Sequence, residues 1–200
     1  MPLFPRTLAT IYGELPIDGD IAVYQGSNGQ AQWGSLARHN LLGANGENLV
    51  GTWTGVGVTR TTLAMTEDGG VGTQHKIFAD FAATAGKLYE VSAIVKAENR
   101  HHIQLLVNNS ASFLSYFDIT AGAVALGTQS APAPSSRGIE DLTWKLGAGW
   151  YRPWIRFTYT FTETLYVQIL GADVDNNLIY DGNSLLQFSF KRIRVYEPQA

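Results

Sequence analysis

Trp144-Lys-Leu-Gly-Ala-Gly-Trp150-Tyr-Arg-Pro-Trp154-Ile-Arg-Phe-Thr-Tyr-Thr-Phe161 is the stretch that decides the fold, and it holds three of the chain's five tryptophans. From Tyr151 onward one set of alternate residues is Tyr151, Ile155, Phe157, Tyr159 and Phe161, with Pro153 among them. The other set is Arg152, Trp154, Arg156, Thr158 and Thr160. An apolar face and a polar face at a period of two mark a strand buried on one side. Gly147-Ala148-Gly149 supplies a tight turn ahead of it. The core is expected to lie against Tyr151–Phe161.

The same period recurs on both sides of this strand. Tyr89, Val91, Ala93 and Val95 alternate with Glu90, Ser92, Ile94 and Lys96, and Ile103, Leu105 and Val107 follow after the polar corner Glu98–His102. Gln74–Ala82, Phe113–Ile119 and the run Leu165, Val167, Ile169 read as strands. Leu49–Leu63 reads as one or two short ones, and Gly127–Gly138, rich in Pro, Ser and Ala, as the longest loop. In Leu186–Tyr196 the apolar parity changes between Phe190 and Ile193, which predicts a β-bulge near Lys191-Arg192, because a one-residue slip turns every later side chain to the other face. No stretch shows a helical period. About eight to ten strands at roughly 8–12-residue spacing predict an all-β sandwich.

Residues 1–37 differ. Pro2, Pro5 and Pro16 oppose helix, and Ile21–Gln25 and Gln30–Trp33 flank the turn Gly26-Ser-Asn-Gly29 as a small hairpin. A lone hairpin is marginal in water, so it is expected to act as a flap on the main core or as an attachment and oligomerisation arm. The predicted division is therefore an arm at 1–37 and a sandwich at 38–200.

Composition narrows the function. Of the 200 residues 45% are hydrophobic, as in a globular domain, and only 16% are charged, so the polar surface rests on uncharged groups. A net charge of -3 offers no basic field for nucleic acid. With no cysteine, disulfides and thiolate metal sites are excluded. The N-terminus does not read as a signal peptide, and no apolar run approaches the ~20 residues of a membrane span.

Catalysis has little to stand on. There is no Gly-x-Ser-x-Gly elbow, His39 and His75 stand in polar stretches, and His101-His102 would point to opposite faces of a strand. Asp173-Val-Asp175-Asn-Asn-Leu-Ile-Tyr180-Asp181-Gly-Asn183 is the one cluster rich in oxygen ligands. It reads either as a Ca²⁺ or polar-ligand loop or as a turn held by Asp and Asn side chains. Leu178 and Ser184 occupy the positions where an EF-hand needs Gly and Glu. Exposed aromatics are more informative, because a tryptophan face stacks on the apolar face of a sugar while Asp, Asn and Arg bond its hydroxyls. The candidate glycan-binding residues are Trp144, Trp150, Trp154, Tyr180, Asp173 and Asp175. For Trp154, set between Arg152 and Arg156, a subunit interface, the core and a ligand surface are the three readings.

An ordered set of short motifs carries a family resemblance across residues 40–197. Tyr89-Glu-Val-Ser-Ala-Ile-Val-Lys-Ala97 with Glu98-Asn-Arg100 resembles the "VKAGxR" strand and corner of bacteriophage jelly-roll modules. Tyr116-Phe-Asp118 with Gly122, Leu146–Arg152, Val167–Asp175 and Tyr180-Asp-Gly182 follow in that family's order. The resemblance implies a carbohydrate-binding-like jelly roll of the kind found in tail-fibre and capsid-appendage proteins, displayed on the virion and often trimeric. It carries no catalytic set. The expectation is a non-enzymatic virion structural protein, a fibre head or capsid decoration. It would be anchored by residues 1–37, oligomeric with a trimer favoured, and in contact with other virion proteins and host glycans. The alternatives are a carbohydrate-binding module accessory to an enzyme and, behind it, a glycan hydrolase.

Overall fold

The computed structural model describes residues 21–25, 31–35 and 40–198. The chain divides into two compact units, residues 1–38 and 39–200. In the first, β1 (Ile21–Gln25) and β2 (Ala31–Ser35) pair antiparallel, Ile21 opposite Ser35 and Gln25 opposite Ala31. This is the hairpin that the sequence predicts; its turn, and the prolines before it, lie outside the described residues.

The second unit is an all-β sandwich of two six-stranded antiparallel sheets, jelly-roll-like in architecture. Sheet 1 has the order β10-β9-β8-β13-β6-β3, with β3 (Thr54–Val56), β6 (Lys76–Ala83), β8 (His102–Asn108), β9 (Ser112–Asp118), β10 (Ala125–Gln129) and β13 (Glu163–Ala172). Sheet 2 has the order β11-β12-β7-β14-β5-β4, with β4 (Val58–Thr61), β5 (Ala64–Glu67), β7 (Leu88–Ala97), β11 (Ser136–Asp141), β12 (Trp150–Thr158) and β14 (Leu186–Tyr196). Described helix is limited to the 3₁₀ segment Gly43–Glu47 and one turn, Thr143–Leu146, and none is long and apolar enough to cross a membrane.

Alternation builds the core. Tyr151, Ile155 and Phe157 of β12, Tyr89, Val91, Ala93 and Val95 of β7, and Phe188, Phe190, Ile193 and Val195 of β14 face inward from sheet 2. From sheet 1 they meet Ile77, Ala79 and Phe81, Ile103, Leu105 and Val107, and Leu165, Val167 and Ile169. Pro153 sits inside β12 at the cost of a ladder donor. The pairing with β7 is interrupted after Tyr151–Val95 and resumes in the same register at Trp154–Ser92. Gly147 and Gly149 before the strand have φ of 92° and 83°, a region that only glycine enters freely, so the turn depends on them. The parity change in β14 is a bulge at Lys191: Phe190 pairs with Val95 and Arg192 with Ile94.

Three expectations are corrected. Gly127–Gly138 is largely not a loop, because it holds the end of β10 and the start of β11, leaving only 130–135 between them. These are edge strands bonded on one side, and small residues suffice where almost nothing is buried. For the same reason the strands exceed eight to ten. His75 is not in a polar environment but fully buried, with both ring nitrogens lacking a hydrogen-bond partner among the described residues.

Candidate functional site

The structure separates the sequence-derived candidates into two groups. The tryptophans belong to the outer face of sheet 2 and its rim. Trp144 is 79% exposed with Lys145 Nζ 5.8 Å from its ring centre. Trp150 is half-buried under the bulge lysine, Lys191 Nζ lying 5.0 Å from the ring. Trp154 is half-buried across the edge strand: a Cβ at Gly138, its partner on β11, would come within 2.7 Å of the indole. The Arg156 guanidinium stands 5.0 Å from the same ring. Between these groups lies Glu90, 1% exposed although on the outer parity. Arg156 Nε donates to it at 2.6 Å, Arg152 Nη1 lies 3.7 Å away, and Tyr196 donates its hydroxyl. Arg152 Nε donates to Glu140 at 2.7 Å. Much of the positive charge on this face is thus already neutralised.

Tyr180, Asp173 and Asp175 belong to the connection between β13 and β14, where the acidic loop acts as a clasp. Tyr180 is buried, stacked on His75 at 4.5 Å between ring centres, with the Arg100 guanidinium 4.4 Å from its ring centre. Its hydroxyl is bonded to Gln187, and burial and the nearby Glu67 carboxylate raise its pKa. Arg100 grips Glu67 through Nε at 2.6 Å and Nη2 at 3.2 Å, and donates through Nη1 to Asp173 at 2.7 Å. Burial alone would raise the Glu67 pKa, yet Arg100 and the Asn183 amide hold it below the usual carboxylate value. Asp175 accepts from the Thr128 amide at 3.0 Å and hydroxyl at 2.7 Å, and Asp181 accepts from the Gly72 amide at 2.8 Å. The three carboxylates therefore serve three different anchors. Among the described residues no group of three or more His, Cys, Asp or Glu could hold a metal ion.

A third surface has no counterpart among the sequence-derived candidates. On the outer face of sheet 1 the register sets Asp80, Tyr166 and Asn108 in one row, Phe78, Gln168 and Leu106 in the next, and Lys76, Leu170 and Gln104 in a third. Tyr166 is 44% exposed, and Phe78 meets it edge-on at 6.3 Å between centres. Gln168 is held at both ends of its amide: Oε1 accepts from Lys76 Nζ at 3.1 Å, and Nε2 donates to Asn108 Oδ1 at 2.6 Å. These bonds fix which end of the amide faces which neighbour. The third row is closed where Tyr116, beside Gln104, is buried next to Asp175. The first two rows form a strip on rigid strands that is open at Tyr166 and Asp80 and half-buried at Phe78 and Asn108, with Gln168, 8% exposed, as its floor. Its signal was present in the sequence: Phe78 and Tyr166 are aromatics on the polar parity of strands that pair with each other.

The architecture that carries these surfaces is that of an antiparallel two-sheet sandwich. Two solved structures similar to this chain are carbohydrate-binding modules. The one described as "CBM4 structure and function" is 13% identical, with a TM-score of 0.40, over 73% of this chain and 78% of that one. The other, the mannan-recognising carbohydrate-binding module TmCBM27, is 12% identical, with a TM-score of 0.36, over 75% of this chain and 91% of that one. No family model and no curated protein matches the sequence.

Proposed function

We propose that the protein is a non-catalytic carbohydrate-binding module that holds a glycan across the outer face of sheet 1. The observation that carries this reading is Tyr166. It is a 44%-exposed ring on a rigid central strand, buttressed by Phe78 and bordered by the pre-set amides of Gln168 and Asn108 and the exposed carboxylate of Asp80. An apolar sugar face stacks on such a ring, and the amides and carboxylate exchange hydrogen bonds with its hydroxyls without reorganising. Tyr180, Asp173 and Asp175 act indirectly here, holding the loop that borders the strip. Affinity electrophoresis over a polysaccharide panel tests the reading. Tyr166→Ala is expected to weaken binding by about 2 kcal/mol, roughly thirtyfold, as for a central aromatic anchor. Its stability should change by less than about 0.5 kcal/mol, since the ring is exposed. Unchanged retention of the variant would remove this face as the site.

The first unit favours a second element of the proposal. Its described strands have five residues each, and a two-stranded hairpin gains its stability from whatever it packs on. We propose that residues 1–37 are an attachment and oligomerisation arm. On this reading the module is displayed on a particle such as a virion, as a fibre head or capsid decoration, with Trp144, Trp150 and Trp154 as contact groups for a sister subunit. Light scattering checks this: the full chain is expected to be oligomeric and the 39–200 fragment to be of lower order. A full chain that stayed monomeric at high concentration would overturn the arm.

A further inference from the structure

Beside the strip on sheet 1, in the third row, stands a part-buried cation that its surroundings do not balance. Lys76 lies half-buried on the outer parity of β6. Its Nζ has a single hydrogen-bond partner among the described residues, the neutral Oε1 of Gln168 at 3.1 Å, and no carboxylate lies within ion-pair distance. Arg60 and Arg137 likewise bond neutral acceptors, but through backbone carbonyls that satisfy a guanidinium at several points or at a loop, whereas Lys76 has one side-chain amide oxygen. Most of the remaining cations are paired. Arg100, Arg152, Arg156 and Arg192 each meet a carboxylate, and so do Lys87 and Lys96. In a chain of net charge -3, a part-buried ammonium left without a counter-ion is unfavourable until an anion arrives. Burial lowers the Lys76 pKa, which is the direction expected of such a group.

Its position makes that anion part of the ligand. Lys76 is flanked in its own row by Leu170 and in the next row by Phe78, whose neighbour along the strand face is Tyr166. The opposite end of the strip carries Asp80, four residues along the strand and therefore roughly 13 Å away. A ligand lying on the two aromatic rings thus meets a cation at the closed end and an anion at the open end. We propose that the glycan held by this face is an acidic saccharide, a uronate or another carboxylated sugar. Its carboxylate is received by Lys76 Nζ beside the Gln168 amide, and its hydroxyls meet Asn108 and Asp80. This rests on the carbohydrate-binding reading of the same face.

Polygalacturonate and alginate, each compared with the same polymer after its carboxyl groups have been reduced to hydroxymethyl groups, provide the test by isothermal titration of the full chain. Wild-type protein is expected to bind at least one native polyuronate, to lose tenfold or more on its carboxyl-reduced form, and to weaken as salt is raised. Lys76→Gln should lose about as much on the native polymer and nothing further on the reduced one, while Lys76→Arg should keep most of the affinity. The comparison of native with reduced polymer needs no variant, so it stands even if Lys76→Gln fails to fold. Equal binding of native and reduced polymers, or native binding untouched by Lys76→Gln, would overturn the acidic ligand and leave the carbohydrate reading standing. Binding to none of these polymers nor to any neutral polysaccharide would overturn both.

Discussion

Replacing Arg100 by alanine is expected to cost about 3–5 kcal/mol of folding stability at neutral pH, because it strands a buried carboxylate. Glu67 is 1% exposed, and both its oxygens depend on Arg100, with the Asn183 amide and Gln187 as lesser donors. The pH dependence distinguishes this mechanism from a loss of packing. In the native protein the Glu67 pKa lies below 4.5, so its contribution is present above that value and fades as pH falls through the lowered one. Without Arg100, burial is the leading influence and raises the pKa. The variant then regains relative stability as acid protonates Glu67. Urea denaturation of both proteins at pH 7 and at about pH 4 should show the gap narrowing toward acid. A gap that is constant with pH would mean that Arg100 acts through its contact with Tyr180 instead.

Phe157→Ala is expected to be of similar size, about 3–5 kcal/mol, which in a domain of this length lowers Tm by roughly 8–15 °C. The ring is fully buried near the C-terminal end of β12, stacked on Phe113 at 4.8 Å between centres and set 5.9 Å from Tyr89. It thereby joins β9 of sheet 1 to β7 and β12 of sheet 2 across the core. Thr158→Ala, one residue on and exposed, should move stability by less than about 0.5 kcal/mol. Thermal melts of the two variants side by side check both values. A loss below about 1 kcal/mol at Phe157 would mean that the cavity collapses and that this trio is not the hinge of the core.

Both predictions bear on what could be read without coordinates. Phe157 is legible as core because it belongs to an unbroken period of two, and the bulge at Lys191 is legible because a change of parity leaves a trace in the residues themselves. The edge strands leave none: Ala125–Gln129 and Ser136–Asp141 bury little on either face, so no selection for apolar alternation marks them. The pairing of Glu67 with Arg100 is hidden for a different reason, since nothing local in either residue names its partner 33 positions away. Of the strip around Tyr166 only the aromatics on the polar parity of two strands are legible; its pairing is hidden by a longer separation. Lys76 and Gln168 are 92 residues apart, and their row exists only once β6 and β13 are laid side by side. Tryptophans drew attention to the opposite sheet, where Trp154 lies against Gly138 and under Arg156.

The order of strands has a consequence for how the chain reaches this state during synthesis. β13 and β14, the last two strands of the sandwich in sequence order, are not at the margins: β13 lies between β6 and β8, and β14 between β5 and β7. Until they emerge from the ribosome, sheet 1 exists only as a separate β8-β9-β10 ladder and a β3-β6 pair, and sheet 2 only as β7-β12-β11 and β4-β5. Each fragment would present an open, apolar edge at the seam awaiting its missing strand. Folding is therefore a late, closing event dominated by contacts distant in sequence, slow by nature and exposed to mispairing between neighbouring nascent chains. A polypeptide stalled before residue 163 should remain protease-sensitive throughout 40–160, and protection should arrive in one step as the final two strands are released.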